Sequence, residues 1–237
     1  MLGPISNAFS GLTNASKRLQ NSANNLSNVL TSGFKKGQVN TVDSKAGGTG
    51  INSISKVNTQ GGFLPTNNRL DLAIQGNGFF QVANSNGSTS FTRSGSFSLD
   101  GAGHMVDSSG NPLVPTISVP FDNNGISVSY EGRVSAQTPE GTVAAGQIQL
   151  VSFTNPSGLS AAGGNLFNES AASGPPAIGF PGLDGNGTVL SGFLEGSNVD
   201  IKEEMVDQIV TRATFKANFK VIEANNEMLG SLIDIKK

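Results

Sequence analysis

The sequence predicts an α+β protein: N- and C-terminal helices form a coiled-coil pair, and one or more all-β domains lie between them. Residues 5–30 carry apolar or small residues at heptad spacing, residues 200–229 contain no Gly or Pro, and hydrophobicity alternates with period two in the middle. We expect an N-terminal helix within residues 1–39 and an extended linker over 40–69. A β core should follow over 70–115, a second β domain with long loops over 116–194, and a C-terminal helix over 195–237.

The predicted N-terminal helix has one apolar stripe, in which successive positions are three or four residues apart, the spacing of a coiled coil. The helix should stop near Gly33, because glycine readily adopts the left-handed conformation that ends helices. The residues between the stripe positions are mainly Asn, Ser, Gln and basic residues, and Asn and Ser are poor helix formers. We therefore expect this segment to stay largely unfolded until a partner buries the stripe. The positions of the stripe are Ile5, Phe9, Leu12, Ser16, Leu19, Ala23, Leu26 and Leu30.

The predicted C-terminal helix has a clear beginning and two apolar lines. Asp200 is the expected N-cap, and Glu203 stands at capping-box spacing. Two lines on one helix imply burial against more than one neighbour. They pack either within an ordinary intramolecular hairpin or against other copies of the chain. The first line contains Ile201, Met205, Phe215, Phe219, Ile222, Leu229 and Ile233, and the second contains Val206, Val210, Ala213, Ala217, Val221 and Ala224.

The middle of the chain has strand-like alternation separated by turn residues. Residues 70–74 and 79–82 are predicted strands, as are segments within 91–99, 147–153 and 188–194. Residues 117–121 and 126–130 alternate on either side of Asn123-Asn124-Gly125, and Asn-Gly is a strong hairpin signal. We therefore predict a hairpin there. Residues 155–187 are rich in Gly, Pro, Ala and Ser and should form surface loops.

The composition excludes several functional classes. There is no cysteine, so disulfides and thiolate chemistry are excluded, and a single histidine argues against a zinc site. Fifteen basic residues against 17 acidic ones give a net charge of −2, which is unsuited to neutralising nucleic-acid phosphates. No apolar run approaches the length needed to cross a bilayer, and residues 1–5 do not look like a cleaved signal peptide.

Three candidate chemical sites are better explained as structural turns. The glycine pairs at 76–78 and 101–103 do not complete a phosphate-binding Gly-x-Gly-x-x-Gly motif. Asp184, Asn186, Thr188 and Glu195 have EF-hand spacing, but Val189 stands where that loop needs glycine. His104, near Asp100, lies in a glycine-rich region and is expected to be a solvated turn residue. We expect no enzymatic activity, no cofactor and no metal.

Several motifs together resemble the bacterial flagellar rod and hook proteins, which build the axial structure of the flagellum. The N-terminal part of the resemblance is Ser10-Gly11-Leu12 with residues 24–28 and 31–35, the β-core part is residues 70–80 and 91–97, and the C-terminal part is residues 195–200 and 203–206. Within the family, the resemblance is to the distal rod subunit, on residues 146–150, 154–159 and 181–185. The stretch between Lys36 and Leu70 is short for that subunit, so a proximal rod subunit and a hook subunit stay as alternatives.

The resemblance implies a structural subunit that polymerises into a helical tube, transmits motor torque and encloses the export channel. Its partners would be other copies, neighbouring rod or hook proteins, the rings around the rod and the export apparatus. It would lie in the periplasm-spanning basal body after export without a cleaved signal peptide. A secreted β-rich adhesin is a more distant alternative. The implied assembly interface comprises Ile5, Phe9, Leu12, Leu19, Leu26, Leu30, Phe34, Met205, Phe215, Phe219, Ile222, Leu229 and Ile233.

Overall fold

A computed structural model describes residues 3–45, 47–84 and 86–234, and describes side chains between residues 5 and 231 of these ranges. The chain divides into two compact units. The helical unit comprises residues 1–29, 36–57 and 199–237, and the β-rich unit comprises residues 30–35 and 58–198. The predicted α+β class, with helices at both ends and strands between them, is confirmed.

The helical unit contains two helices and a β-hairpin. Helix α1 (Gly3–Ser27) ends before Gly33, earlier than predicted, and α2 (Ile201–Asp234) begins where the Asp200 cap predicts. Strands β1 (Gly37–Asp43) and β2 (Thr49–Lys56) form an antiparallel hairpin with a bulge after Asn40. The prediction of an extended linker over 40–69 is therefore wrong.

The hairpin is held against α1 by asparagine side chains. Asn21 and Asn25 donate from Nδ2 to the carbonyl of Gly37, at 2.7 and 2.9 Å, and Asn14 Nδ2 lies 3.1 Å from the hydroxyl of Thr49. Polar residues that look like linker residues in the sequence thus pair with each other and with the polar side of the helix.

The β-rich unit consists of short antiparallel strands in several small sheets. The strands are β3 (Phe63–Pro65), β4 (Leu72–Gln75), β5 (Phe79–Ala83), β6 (Thr89–Thr92), β7 (Ser98–Leu99), β8 (Met105–Val106), β9 (Gly125–Val128), β10 (Arg133–Thr138), β11 (Gly141–Gln147), β12 (Leu150–Ser152), β13 (Ser160–Gly163), β14 (Leu166–Asn168), β15 (Ala177–Gly179), β16 (Thr188–Ser191) and β17 (Phe193–Glu195). A six-stranded sheet has the order β13-β14-β6-β5-β12-β15, and β9, β10 and β11 form a three-stranded sheet. Strand β16 pairs with β4, β17 with β3 and β7 with β8.

One hydrophobic core spans both of the predicted β domains. It joins side chains from Leu72 in β4 to Val189 in β16, including Ile117, Val134 and Ile148. Strand β5 also pairs directly with β12. The predicted division at residues 115 and 116 is therefore not a boundary between separate cores, because strands from both sides of it pair and pack together.

The predicted hairpin at residues 123–125 is wrong. Strand β9 pairs instead with β10, and the connecting turn contains Gly132 with φ of +75°. Residues 117–119, which precede the Asn-Gly sequence, pair instead with residues 103–105. Met105 N donates to Ile117 O at 3.1 Å, and Val119 N donates to Gly103 O at 2.8 Å. Because Pro120 has no N–H to continue an antiparallel ladder, the chain leaves that pairing before the Asn-Gly sequence. Residues 155–187, predicted as loops, include β13, β14 and β15.

A glycine in the β-rich unit permits a very close backbone approach. A Cβ at Gly95 would lie 1.6 Å from the carbonyl oxygen of Leu72, whereas a Cβ at Gly101 would meet nothing within 4 Å. Gly95→Ala should therefore force the backbone apart and lower the free energy of unfolding by roughly 3 kcal/mol, the upper end of overpacking costs. Urea denaturation followed by circular dichroism measures this loss. Gly101→Ala is the control, and equal stability of the two variants would contradict the prediction.

Candidate assembly surface

The two helices of the helical unit form an antiparallel pair with a seam of small and polar residues. Late residues of α1 contact early residues of α2, since Asn25 Nδ2 donates to Glu204 Oε1 at 3.0 Å and Arg18 forms an ion pair with Asp207. Ala8, Ala15 and Ser22 are buried on α1 at intervals of seven residues, and Glu204 and Thr211 are buried on α2 at the same interval. The fully buried residues of the helix pair are therefore small or polar rather than large and apolar.

Close approach of the helices depends on a glycine. A Cβ at Gly11 would lie 2.6 Å from Nδ2 of Asn218, so this position allows α2 to pack closely on α1. A polar cleft of about 350 Å³ lies beside it, lined by both helices and the hairpin. Within the described part of the chain, the hydroxyl of Thr211, which lines this cleft, is buried without a hydrogen-bond partner.

The beginning of α2 is fixed by its cap and by a lysine. Asp200 Oδ1 accepts from the N–H groups of Lys202 at 2.8 Å and Glu203 at 3.3 Å, which confirms the predicted cap. Lys36 Nζ lies 3.0 Å from Glu203 Oε2 and 3.2 Å from Glu204 Oε1. Burial alone lowers the pKa of Lys36, but its hydrogen bonds and charge interactions with the two glutamates outweigh burial and raise that pKa above 10.5.

Lys36→Gln should loosen the first turn of α2. A raised lysine pKa stabilises the folded unit below the ordinary pKa and loses this effect as the pH rises through the folded value. At neutral pH the substitution should therefore cost about 1 kcal/mol, a value typical of partly exposed ion pairs. Hydrogen exchange of residues 201–206 should be faster in the variant at pH 7. Equal exchange rates in Lys36→Gln and the parent protein would show that the ion pairs do not stabilise the first turn of α2.

Large apolar side chains lie outside the seam and face solvent. Ile209 is 70% exposed, Phe9 66% and Phe219 49%. An α-helix advances about 100° per residue, so the exposed apolar residues of α2 form two groups, one on each side of its seam. The bulky face contains Ile201, Met205, Ile209, Phe215 and Phe219, and the small stripe contains Val206, Val210, Ala213, Ala217, Val221, Ala224 and Met228. Clustered exposed apolar residues mark interaction surfaces.

The predicted interface residues differ in their environments. Phe9, Leu30, Met205, Phe215, Phe219 and Leu229 are exposed, whereas Ile5, Leu12, Leu19, Leu26 and Ile222 are half-buried. Phe34, in the β-rich unit, is only 6% exposed, so its ring is already covered and is not part of the exposed surface. Ile233 lies in α2, but its side chain is outside the described residues. Ile209 was missed because it falls between the two apolar lines.

The β-rich unit contains a buried cluster of three charged groups. The carboxylate of Glu195 accepts from Lys35 Nζ at 2.6 Å, from Arg93 Nε at 2.8 Å and from Gly61 N at 3.1 Å. All three charged side chains are at most 5% exposed. Burial is the largest influence on Lys35 and lowers its pKa, although Glu195 opposes this shift. No local sequence pattern joins these residues, which come from distant parts of the chain.

The other sequence candidates form structural contacts. His104 Nδ1 lies 3.3 Å from Asp100 Oδ2 in a partly exposed turn, as predicted. Glu195 is the last position of the EF-hand spacing noted in the sequence. Its carboxylate is bound by Lys35 and Arg93 and is therefore not available to bind calcium. Among the described residues, no cluster of three His, Cys, Asp or Glu is placed to hold a metal ion. Over the same residues, neither helix has a stretch apolar enough to span a bilayer.

Comparison with known proteins identifies related chains. Residues 73–136 match the family "Flagellar hook protein FlgE/F/G D1 domain", and residues 190–235 match "Flagellar basal body rod FlgEFG protein C-terminal". The flagellar basal-body rod protein FlgG of Borreliella burgdorferi is 37% identical, with both chains fully covered. FlgG of Buchnera aphidicola subsp. Acyrthosiphon pisum is also 37% identical, over 89% of this chain and 90% of the relative. The flagellar hook protein FlgE of Brucella suis biovar 1 is 35% identical, over 50% of this chain and 30% of its own length.

Proposed function

We infer that this chain, which belongs to the family of flagellar hook and basal-body rod proteins, is a structural subunit of the basal-body rod. Its rod relatives align over nearly the whole chain, whereas the hook relative covers half of it, so the rod function is better supported than the hook alternative. Its resemblance within the family is to the distal rod subunit. The activity is mechanical: the subunits polymerise into a helical tube that transmits torque and encloses the export channel.

The observation that carries this function is the seam of small and polar residues between the helices, which leaves many large apolar residues exposed, most of them on α2. Burying one such Ile, Met or Phe side chain contributes about 1.5–3 kcal/mol. Several of them on α2, together with Phe9 on α1, supply enough free energy to offset the loss of conformational and rotational freedom on assembly. Subunits joined head to tail through two different faces form an open helical polymer rather than a closed dimer.

The partners follow from this position in the flagellum. They are other copies of the chain, the neighbouring rod or hook proteins, the rings that surround the rod, and the export apparatus. The subunit lies in the periplasm-spanning part of the basal body and reaches it by the flagellar export route. The function requires no cofactor and no enzymatic chemistry.

Immunogold labelling of purified basal bodies tests the location. An antibody against the β-rich unit should label the rod and leave the hook unlabelled. Labelling confined to the hook would instead support the hook alternative. For the adhesin alternative, the purified chain would form no long assemblies at any concentration, and a ligand would raise its melting temperature.

A further inference from the structure

The small stripe of α2 has an eleven-residue repeat. Its members are separated by steps of 4, 3, 4, 4, 3 and 4 residues, and all of them are exposed. Eleven residues are close to three helical turns, so the stripe runs almost straight along the helix. A shift of eleven residues places one apolar member over another: Val210 over Val221, for example, and Ala213 over Ala224.

The charged residues of α2 repeat at the same interval with opposite sign. Arg212 precedes Glu223 by eleven residues, and Lys216 precedes Glu227 by eleven residues. All four fall on the side of α2 that faces away from the seam with α1. Arg212 lies within the bulky face, seven residues from both Met205 and Phe219, and the other three lie toward the edge of that face nearest the small stripe. A second helix, parallel and shifted by eleven residues, would therefore place each basic residue beside a glutamate.

We propose that α2 helices of neighbouring copies pack side by side and parallel, with an axial offset of eleven residues. The bulky face of one copy packs against the small stripe of the next, and Arg212 and Lys216 pair with Glu223 and Glu227 of its neighbour. At 1.5 Å per residue the offset is about 16 Å. The proposal rests on the proposed function, because it specifies how copies of a rod subunit meet.

Two faces are needed because the polymer is open. If one face contacted the copies on both sides, two neighbours shifted by eleven residues in opposite directions would overlap on the same part of a 34-residue helix. With the bulky face on one side and the small stripe on the other, each neighbour has its own surface. The charges on the bulky face and along its edge are long side chains, which can reach past an apolar contact toward a neighbouring helix.

The charge pairs cannot form within one chain. Lys216 and Glu227 are about 16 Å apart along the same helix, which is beyond ion-pair distance. Glu223 already has an exposed intrachain partner, since its Oε2 lies 2.7 Å from Lys220 Nζ. A carboxylate has two oxygens and can accept from a second cation, so this pair is compatible with Arg212 of a neighbouring copy.

Charge reversal in the full-length chain tests the offset. Lys216→Glu and Glu227→Lys should each raise the minimum concentration for tube formation at least about tenfold, because an attractive contact becomes repulsive in every repeat. The double variant Lys216→Glu/Glu227→Lys should return this concentration to within about twofold of the parent value, since each interface regains opposite charges. Added salt should weaken the single-variant defects by screening. Electron microscopy and sedimentation measure assembly, and circular dichroism confirms that each variant is folded.

A second double variant provides the control for spacing. Lys216→Glu/Glu223→Lys has the same net charge as the rescuing variant, but at an eleven-residue offset it places like charges beside Glu227 and Arg212. It should remain defective. The offset is contradicted if both double variants assemble equally, or if the single reversals assemble as the parent does. If the unmodified chain forms no tubes, the proposed function itself fails, and the offset with it.

Discussion

Phe219→Asp should abolish tube formation while the β-rich unit stays folded. The Phe219 ring is about half exposed in the single chain, so its replacement opens no large cavity within the fold. In the assembly, the substitution would remove about 1.5–3 kcal/mol of apolar burial and would bury an unpaired carboxylate at a further cost. The minimum concentration for assembly should rise at least about a hundredfold, which corresponds to about 3 kcal/mol.

Two further variants separate assembly from folding. Ile209→Asp should have the same effect, because Ile209 is the more exposed of the two side chains. Ile209→Leu keeps an apolar side chain of similar volume and should assemble as the parent does. Sedimentation and electron microscopy report assembly, and circular dichroism reports the strands. Loss of the strand signal in Phe219→Asp would indicate that this ring belongs to an intramolecular core.

Glu195→Gln should lower the free energy of unfolding of the β-rich unit by about 3–5 kcal/mol, the cost of breaking a buried ion pair. The carboxylate is fully buried and is the acceptor for both Lys35 and Arg93. The substitution would leave two buried cations without their counter-charge. Urea denaturation followed by circular dichroism measures the change.

A surface pair and a double variant make this second test specific. Glu131→Gln removes the partner of Arg133, but both side chains are largely exposed, so the loss should be below about 1 kcal/mol. Adding Lys35→Met to Glu195→Gln removes one of the two uncompensated charges and should recover part of the lost stability. A Glu195→Gln protein as stable as Glu131→Gln would show that the cluster does not stabilise the unit.

The sequence predicted the elements of the helical unit but not their contacts. Periodicity located both helices, and the Asp200 cap marked the start of α2 within one residue. The sequence could not show which face of each helix packs against the other helix, because an apolar stripe has the same spacing whether it contacts the same chain or another copy. Ala15, Ser22 and Thr211 carry no strong hydrophobic signal, yet they form the seam.

The strand pairing of the β-rich unit could not be predicted from the sequence, for a different reason. Local alternation identified β4 and β5, but strand pairing joins distant segments, as in β4 with β16. The Asn124-Gly125 turn signal failed because the preceding segment had already paired with residues 103–105. The Lys35, Arg93 and Glu195 cluster has no local pattern, since each residue comes from a different part of the chain. Tertiary contacts decided all of these features.

The central claim is that other copies cover the exposed apolar faces of the helices, and thiol accessibility tests it most directly. The chain has no cysteine, so Ile209→Cys introduces a single probe. Maleimide should label this thiol rapidly in dilute monomer and at least about tenfold more slowly in assembled tubes, because only the exposed fraction of a buried group reacts. Ser109→Cys, in an exposed turn of the β-rich unit, reports on general access to reagent. Equal labelling of Ile209→Cys in monomer and tube would contradict the account.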